Sequence, residues 1–223
     1  MNSQLRAHVR ALLPAAVAGA ELLSFVDAGQ LFVEEEAAIV KAVTSRRLEF
    51  RAGRDCARRA LNQLGYSSQA LPRRGDRTVE WPTGLVGSVT HTRDYGAAVV
   101  ARSCDWGGVG IDAELKAGVD DPRLWQVIAT PDEIAWLSSK GERAVAYATL
   151  LFSAKEAFYK AQYCLTAQWV NFDEARFHLS GTGFEIELLI DLPGVGKRGS
   201  HVTGSYCEDE PRILTLVALP PSH

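Results

Sequence analysis

Apolar side chains recur with a helical period in two long stretches of the chain, residues 43–64 and 144–165. Residues three, four or seven positions apart share one helix face, so this pattern predicts amphipathic helices with a buried stripe. The first stripe consists of Phe50, Ala57, Leu61 and Leu64, and the second includes Leu150, Leu151, Phe158 and Tyr159. We therefore expect two long helices, one in each half of the chain.

Short apolar runs bounded by glycine, proline and charged turn residues follow both helices. They predict strands, and the seven segments are 85–92, 95–102, 109–114, 174–180, 183–190, 200–206 and 212–218. A further helical stretch is expected at 123–137, where Thr-Pro-Asp-Glu at 130–133 is a start signal for its second half.

The order of these elements predicts an α+β fold of two similar halves, each a long helix packed on a small antiparallel sheet. A short internal similarity, FRAGR at 50–54 and FSAKE at 152–156, favours a pseudo-twofold relation between them. We place the halves at residues 1–110 and 111–223, and we expect ligands to bind in the cleft between them.

The beginning of the chain resembles a targeting signal. Arg6 and Arg10 precede an apolar run that ends in Ala18-Gly19-Ala20, which is the order of a signal peptide. The run is mostly alanine and contains Pro14, so its hydrophobicity is weak. A surface or edge segment of the folded domain is the better interpretation.

Composition places the chain among soluble globular proteins. It has 223 residues, 47% hydrophobic and 23% charged, and no stretch approaches the roughly 20 apolar residues of a membrane helix. This composition argues against disorder and coiled coils. The four cysteines contain no CxxC pair, which indicates reduced thiols in a cytosol and neither a disulfide scaffold nor a zinc site.

Positive charge is concentrated in one part of an acidic protein. The net charge is -3, yet residues 41–80 contain ten Lys and Arg and four Asp and Glu. Four arginines of the first helix share one face, and three more follow in a glycine-containing loop: Arg47, Arg51, Arg54 and Arg58, then Arg73, Arg74 and Arg77. A local cluster favours a compact polyanionic small molecule over nucleic acid. A solvated basic face is the alternative.

Two further segments carry candidate catalytic side chains. Asp112 and Glu114 point to the same face of a strand, where a hard cation would relieve their repulsion. Glu156 and Lys160 stand four residues apart on the second long helix. They are either an ordinary surface ion pair or a metal ligand or base beside a phosphate contact.

Ser88 and His91 suggest a serine nucleophile, but no Gly-x-Ser-x-Gly elbow is present and their spacing on a strand separates them. We read His91 as a phosphate contact or hydrogen-bond partner, with a structural histidine as the alternative. The GxGxxG letters at 194–199 precede a predicted strand instead of a helix, so they indicate a hairpin turn and no dinucleotide site.

Taken together, three segments resemble the 4'-phosphopantetheinyl transferases of the surfactin and enterobactin type. They are WPTGLVGSVTH at 81–91, VGIDAE at 109–114 and FSAKEAFYK at 152–160, and the arginine-rich helix also fits. The resemblance runs from about residue 43 to the end of the chain, while residues 1–40 and 115–148 match nothing.

The resemblance implies a cytoplasmic monomer that binds coenzyme A between its halves and neither nucleic acid nor membrane. It would transfer the phosphopantetheine arm to a serine of an apo acyl or peptidyl carrier protein, with Mg²⁺ or Mn²⁺, and release adenosine 3',5'-bisphosphate. The implied catalytic residues are Glu156 and Lys160, and the implied metal ligands are Asp112, Glu114 and Glu156. The implied coenzyme A contacts are Arg47, Arg54, Arg74, Arg77, Ser88, His91, Asp112, Lys155 and Lys160.

Two other functions remain open on these residues. A metal-dependent phosphohydrolase of coenzyme A or nucleotides would use the same carboxylates and basic patch. A coenzyme A binder without activity would use the carboxylates only structurally. Neither alternative requires all three motifs, which favours the transferase.

Overall fold

The computed structural model describes residues 5–221. Its helices are α1 (Ala7–Arg10), α2 (Val33–Glu36), α3 (Thr44–Gln63), α4 (Pro122–Ile128), α5 (Pro131–Ser138) and α6 (Ala144–Thr166). Its strands are β1 (Val17–Leu22), β2 (Leu85–Thr92), β3 (Tyr95–Arg102), β4 (Gly108–Leu115), β5 (Ala175–Ser180), β6 (Gly183–Leu188), β7 (His201–Asp209) and β8 (Arg212–Leu219). Within these residues no helix is long and apolar enough to cross a membrane.

The two long helices and all seven predicted strands are present. The hairpin β2–β3 has the predicted bounds, and α3 differs from its predicted range by one residue at each end. The helical stretch predicted at 123–137 is two helices, because Thr130 caps α5 and shares a capping box with Glu133. Proline at the first position of both α4 and α5 fits a helix start but not a helix interior.

Each long helix packs on its own antiparallel sheet, which confirms the predicted α+β fold class. Helix α3 covers a three-stranded sheet of order β1-β3-β2, and α6 covers a five-stranded sheet of order β4-β8-β7-β6-β5. Buried alanines of α3 pack on β3, whereas Leu151, Ala154 and Phe158 of α6 pack in the larger core. The five-stranded sheet makes the second half the larger one.

Strand β1 is the edge strand of the first sheet. It pairs antiparallel with β3, from Val17 opposite Ala101 to Leu22 opposite Gly96. The segment that resembles the end of a signal peptide is thus part of the folded domain, which confirms the edge interpretation. Most of this strand is nevertheless buried, because the N-terminal residues Leu5 and Leu13 pack over Gly19.

Hydroxyl groups of β2 join the two sheets. Ile111 N of β4 donates to Ser88 Oγ (3.2 Å), and Ala113 N donates to Thr90 Oγ1 (3.1 Å). Side chains thereby take the place of the backbone ladder between β2 and β4, so the two sheets meet along this line. The division into halves after residue 110 stays a prediction, and β4 spans that position.

Helix α6 lies in backbone contact with β4. A Cβ atom on Gly110 would lie 1.9 Å from Ala157 O, and one on Gly108 would lie 2.1 Å from Ala161 O. Only glycine permits this approach. The approach brings Asp112 of β4 within reach of the side chains of α6 that follow Ala157.

Candidate active site

A cavity of about 1350 Å³ lies between the two halves. The first half contributes residues of α3, β2 and the segment 73–79, which we call the arginine loop. The second half contributes Glu156, Lys160 and neighbouring residues of α6, together with the segments 126–129 and 167–173. This is the cleft that the two-half arrangement predicted.

Asp112 is buried where β4 meets α6; it does not itself border the cavity but contacts Lys160, which does. Its Oδ1 accepts hydrogen bonds from Lys160 Nζ (2.6 Å) and Thr90 Oγ1 (3.3 Å), and its Oδ2 accepts one from Ser153 Oγ (2.8 Å). Burial alone would lower the pKa of Lys160, but the charges of Asp112 and Glu156 outweigh it and raise that pKa. The lysine therefore stays an ammonium group inside the site.

Glu114 and Glu156 complete a group of three carboxylates. Burial and the charge of Asp112 raise the pKa of Glu114 to about 7, and the same causes raise the pKa of Glu156, while Lys160 opposes both shifts. One ammonium group thus compensates three carboxylates incompletely. A site of this kind favours a further cation or a proton.

The donor set suits Mg²⁺ or Mn²⁺ chemically, since both ions prefer carboxylate oxygens. In residues 5–221, however, no three His, Cys, Asp or Glu side chains are grouped closely enough to hold a metal ion. The Lys160 ammonium supplies the positive charge at Asp112 in this arrangement. The three carboxylates therefore fit an ion by their chemistry and charge, but they would have to move closer together to bind it.

Arginines dominate the opposite side of the cavity. Arg54 is buried and donates from Nε to Leu71 O (2.6 Å), with its guanidinium 4.3 Å from the ring centre of Phe50. Burial lowers its pKa to about 10, and the charges of Arg58, Arg73 and Arg46 add to the shift. Crowded, desolvated cations of this kind favour an anionic ligand.

The arginine loop adds three cations at the mouth of the cavity, Arg73, Arg74 and Arg77. A turn closed by Arg74 N to Thr78 O (2.9 Å) shapes the loop, and Arg77 adopts a left-handed backbone (φ 73°) within it. Asp76 of this loop accepts a hydrogen bond from Tyr163 OH of α6 (3.2 Å), so the loop is tied to the other half across the cavity.

The predicted arginine stripe is divided between two roles. Arg54 borders the cavity, whereas Arg47 donates to Ile39 O (3.3 Å) and Arg51 to Phe25 O (3.0 Å). Arg58 is buried against Glu35 (2.7 Å). Neither a solvated face nor a common phosphate site describes the stripe, because three of its members hold the N-terminal segment. The structure does not bring Arg47 to the cavity.

Arg46 borders the cavity instead, and the sequence reasoning missed it. Its Nη1 lies 2.7 Å from His91 Nε2 and 3.1 Å from Glu49 Oε2. Gly53 marks this face of α3, since a Cβ there would lie 2.7 Å from Val89 of β2. Arg46 precedes Gly53 by seven residues, two helical turns, and that spacing was the available signal.

His91 borders the cavity as a neutral hydrogen-bond acceptor. Burial chiefly lowers its pKa, with Arg46 and Lys160 adding to the shift and Glu49 opposing it. Because Arg46 can only donate, His91 Nε2 accepts, which assigns the proton to Nδ1 on the side of Glu49. Ser88 also borders the cavity, but its hydroxyl is bonded to Ile111 in the line between the sheets.

Lys155 lies away from the cavity. Its side chain is fully buried and bonded to Glu133 Oε2 (2.8 Å), Ile128 O (3.1 Å) and Phe172 O (2.8 Å). Burial lowers its pKa and the neighbouring Glu133 opposes that shift. The expectation that Lys155 contacts coenzyme A thus has no support in its position, since the ammonium faces the interior of the second half.

Comparison with known proteins assigns the chain to a family. The family model "4'-phosphopantetheinyl transferase N-terminal domain" matches residues 34–101, and "4'-phosphopantetheinyl transferase superfamily" matches residues 108–207. The 4'-phosphopantetheinyl transferase Npt of Nocardia iowensis is 40% identical over 94% of this chain and 99% of its own. PptT of Mycobacterium tuberculosis is 36% identical over 95% of this chain and 97% of its own. Enterobactin synthase component D of Escherichia coli is 34% identical over 62% of this chain and 65% of its own. The resemblance carried by the three motifs is confirmed: the chain belongs to the 4'-phosphopantetheinyl transferase family and is a transferase.

Proposed function

We propose that this enzyme transfers the phosphopantetheine arm of coenzyme A to a serine of an apo carrier protein, with Mg²⁺, and releases adenosine 3',5'-bisphosphate. The observation that carries the proposal is the polarity of the cavity. One side presents crowded arginines, and the other presents Glu156 and Lys160, with Asp112 bonded to Lys160 behind the cavity surface. A ligand with several phosphates and a bound cation matches both sides at once.

Arginines of the first half would bind the phosphates of coenzyme A. Arg54 is the best placed, because it lies buried at the cavity wall, where burial first and other cations second lower its pKa. Arg74 and Arg77 stand at the mouth, where they can reach a second phosphate group. Arg46 joins this set, with His91 orienting it through the 2.7 Å contact.

Asp112, Glu114 and Glu156 would hold the metal ion. Their donor chemistry and the raised pKa values of the two glutamates support this assignment, because a divalent cation offsets both the burial and the repulsion from Asp112 that raise those values. When bound, the ion neutralises the pyrophosphate and stabilises charge on the leaving phosphate. The three carboxylates must move closer together to bind the ion, since within residues 5–221 they are not grouped closely enough to hold one.

Glu156 would accept the proton of the carrier serine. It borders the cavity, where a carboxylate within reach of the serine hydroxyl can accept its proton. The serine oxygen forms a bond to the phosphorus next to the pantetheine arm, and the bond from that phosphorus to the oxygen shared with adenosine 3',5'-bisphosphate breaks. Lys160, held as an ammonium group, would compensate the charge on the departing phosphate.

A monomeric enzyme, which the family resemblance implies, is part of this proposal. The relatives named as enterobactin synthase components make carrier domains of siderophore synthesis suitable first acceptors. The division into halves at residue 110 is part of this proposal, because each half then supplies one side of the cavity.

Intact-mass spectrometry tests the proposal directly. An apo carrier protein is incubated with the enzyme, coenzyme A and Mg²⁺, with and without a chelator. We expect the carrier to gain the mass of one phosphopantetheine, and the chelator to abolish the gain. Consumption of coenzyme A without any gain would favour the phosphohydrolase, and a gain that persists in the chelator would refute the metal requirement.

A further inference from the structure

The buried ammonium group of Lys155 joins three parts of the second half. It donates to Ile128 O at the end of α4, to Glu133 of α5 and to Phe172 O in the turn before β5. An ammonium group has three N–H donors, and three acceptors satisfy all of them. Lys155 therefore has no donor left for a ligand.

Glu133 extends this junction. Its Oε2 also accepts from Thr130 N (2.6 Å), and its Oε1 accepts from Phe177 N of β5 (2.5 Å). Both oxygens are thus bonded, and the side chain is only 3% exposed. The buried Lys155–Glu133 pair ties α4, α5 and β5 to α6.

The segments held by this pair form one wall of the cavity. We call residues 126–129 and 169–173 the distal wall, and most of their residues border the cavity. The ring of Phe172 packs against Phe152 (centroids 5.7 Å) and Tyr159 (5.2 Å) of α6. These two side chains flank Glu156 on its helix, so the distal wall stands beside Glu156.

We propose that Lys155 and Glu133 are positioning residues that set the distance between the distal wall and Glu156. Neighbouring helix residues point about 100° apart. Lys155 therefore bonds the distal wall from the protein interior, while the next residue, Glu156, faces the cavity. A displaced wall changes how the acceptor hydroxyl approaches its base, and small misplacements of that kind are costly. The inference rests on the proposed function, in which Glu156 takes the serine proton.

Two matched double variants test this role. Lys155→Met with Glu133→Gln removes both charges together, which avoids leaving one of them buried and unpaired. Arg58→Met with Glu35→Gln removes the corresponding buried pair of α3, which lies outside the cavity. The measurements are the Kd of coenzyme A, kcat and KM for the carrier, and hydrogen exchange in residues 169–173.

For the Lys155 and Glu133 variant we expect kcat to fall about 10- to 100-fold, with faster exchange in the distal wall. The Kd of coenzyme A should stay within about threefold, because the arginines lie on the other half. The control variant should keep kcat within about threefold and leave exchange in the distal wall unchanged. An unchanged kcat, or equal losses in coenzyme A binding and turnover, would overturn the inference.

A second variant covers the case in which the double variant fails to fold. Tyr159→Phe removes the hydrogen bond from Tyr159 OH to Asn171 O (3.0 Å), another tie to the distal wall, without burying a charge. We expect faster exchange in residues 169–173 and a lower kcat. An unchanged kcat would overturn the inference whatever the exchange rates are. If the wild type transfers no phosphopantetheine, the exchange measurements still test the wall by themselves.

Discussion

Each of the two long helices carries a buried cation that pairs with a glutamate and ties a neighbouring segment of the chain to the helix. On α3, Arg58 bonds Glu35 (2.7 Å) and Gln30 O (3.0 Å). On α6, Lys155 bonds Glu133 (2.8 Å) and two backbone carbonyl groups. All four side chains are at most 6% exposed, so both pairs operate in a region of low dielectric constant.

The two pairs differ in what they hold. The segment tied by Arg58, residues 30–35, does not border the cavity, whereas the segments tied by Lys155 form its distal wall. A buried cation–glutamate pair therefore stabilises the fold in the first half, whereas in the second half it also positions a wall of the site. In the proposed function the chemistry is divided similarly, since Arg54 of α3 would bind the anionic ligand and Glu156 of α6 would face the acceptor.

The largest effect is expected from Glu156→Gln, which removes the proposed base while keeping the shape of the side chain. Because general base catalysis contributes roughly 10²- to 10⁴-fold, kcat should fall by that factor. Binding of coenzyme A should persist, since the arginines are untouched. The rate of carrier modification, measured by intact mass, checks the first point, and calorimetry with coenzyme A checks the second.

Glu142→Gln is the matched control for this change, because Glu142 is exposed on the turn before α6. It should retain wild-type turnover. If Glu156→Gln transfers phosphopantetheine as fast as this control, Glu156 is neither base nor ligand, and the chemistry can no longer be assigned to α6.

Arg58→Met, made alone, should give the next largest effect, and that effect should be on stability. It leaves Glu35 buried without its partner, which costs about 3–5 kcal/mol in the free energy of unfolding. Urea unfolding followed by circular dichroism measures this loss. The folded protein should keep its turnover number. A loss of turnover without a loss of stability would contradict the division of roles between the two pairs.

Arg54→Ala should act on ligand binding. A hydrogen bond to a charged group contributes about 1.5–3 kcal/mol, so the KM for coenzyme A should rise about tenfold or more while KM for the carrier changes little. Arg59→Ala is the control on the same helix, since Arg59 pairs with Asp55 (2.8 Å) and does not border the cavity. Equal KM values in the two variants would remove Arg54 from the binding site.

The elements with strong local signals were predictable from the sequence. Helix α3 and the hairpin β2–β3 lie within one residue of their predicted bounds, because glycine, proline and a clear apolar period mark them. Strand β1 was not predicted as a strand, since its alanine-rich sequence has no alternation and its strand state depends on pairing with β3. The start signal at Thr130 was recognised in the sequence, but 123–137 was kept as one helical stretch, whereas α4 ends at Ile128 and α5 begins at Pro131.

The segments of the candidate site were predictable from the sequence, but the direction in which individual side chains point was not. The sequence pointed to Asp112, Glu114, Glu156 and Lys160, and the structure brings Lys160 into contact with Asp112 and places the two glutamates near enough for these charges to shift their pKa values. The spacing from Gly53 was a signal for Arg46, but the sequence did not indicate that Arg47 stays away from the cavity or that Lys155 faces the interior. Neighbouring residues of a helix differ by about 100°, and only the tertiary packing decides which of two adjacent cations faces a ligand.

Tyr163→Phe should produce the smallest effect, and it tests how firmly the two halves close on the ligand. The hydroxyl of Tyr163 on α6 donates to Asp76 in the arginine loop (3.2 Å), and both groups are exposed. A hydrogen bond of this kind contributes about 0.5–1.5 kcal/mol, so the Kd of coenzyme A should rise about two- to tenfold. Because the bond orders the loop without touching the carboxylates, the dissociation rate should increase and kcat should stay constant. Stopped-flow displacement of a fluorescent coenzyme A analogue separates these rates. A fall in kcat would mean instead that the loop couples to the chemistry of α6, and the two helices would then not act as independently as their buried pairs indicate.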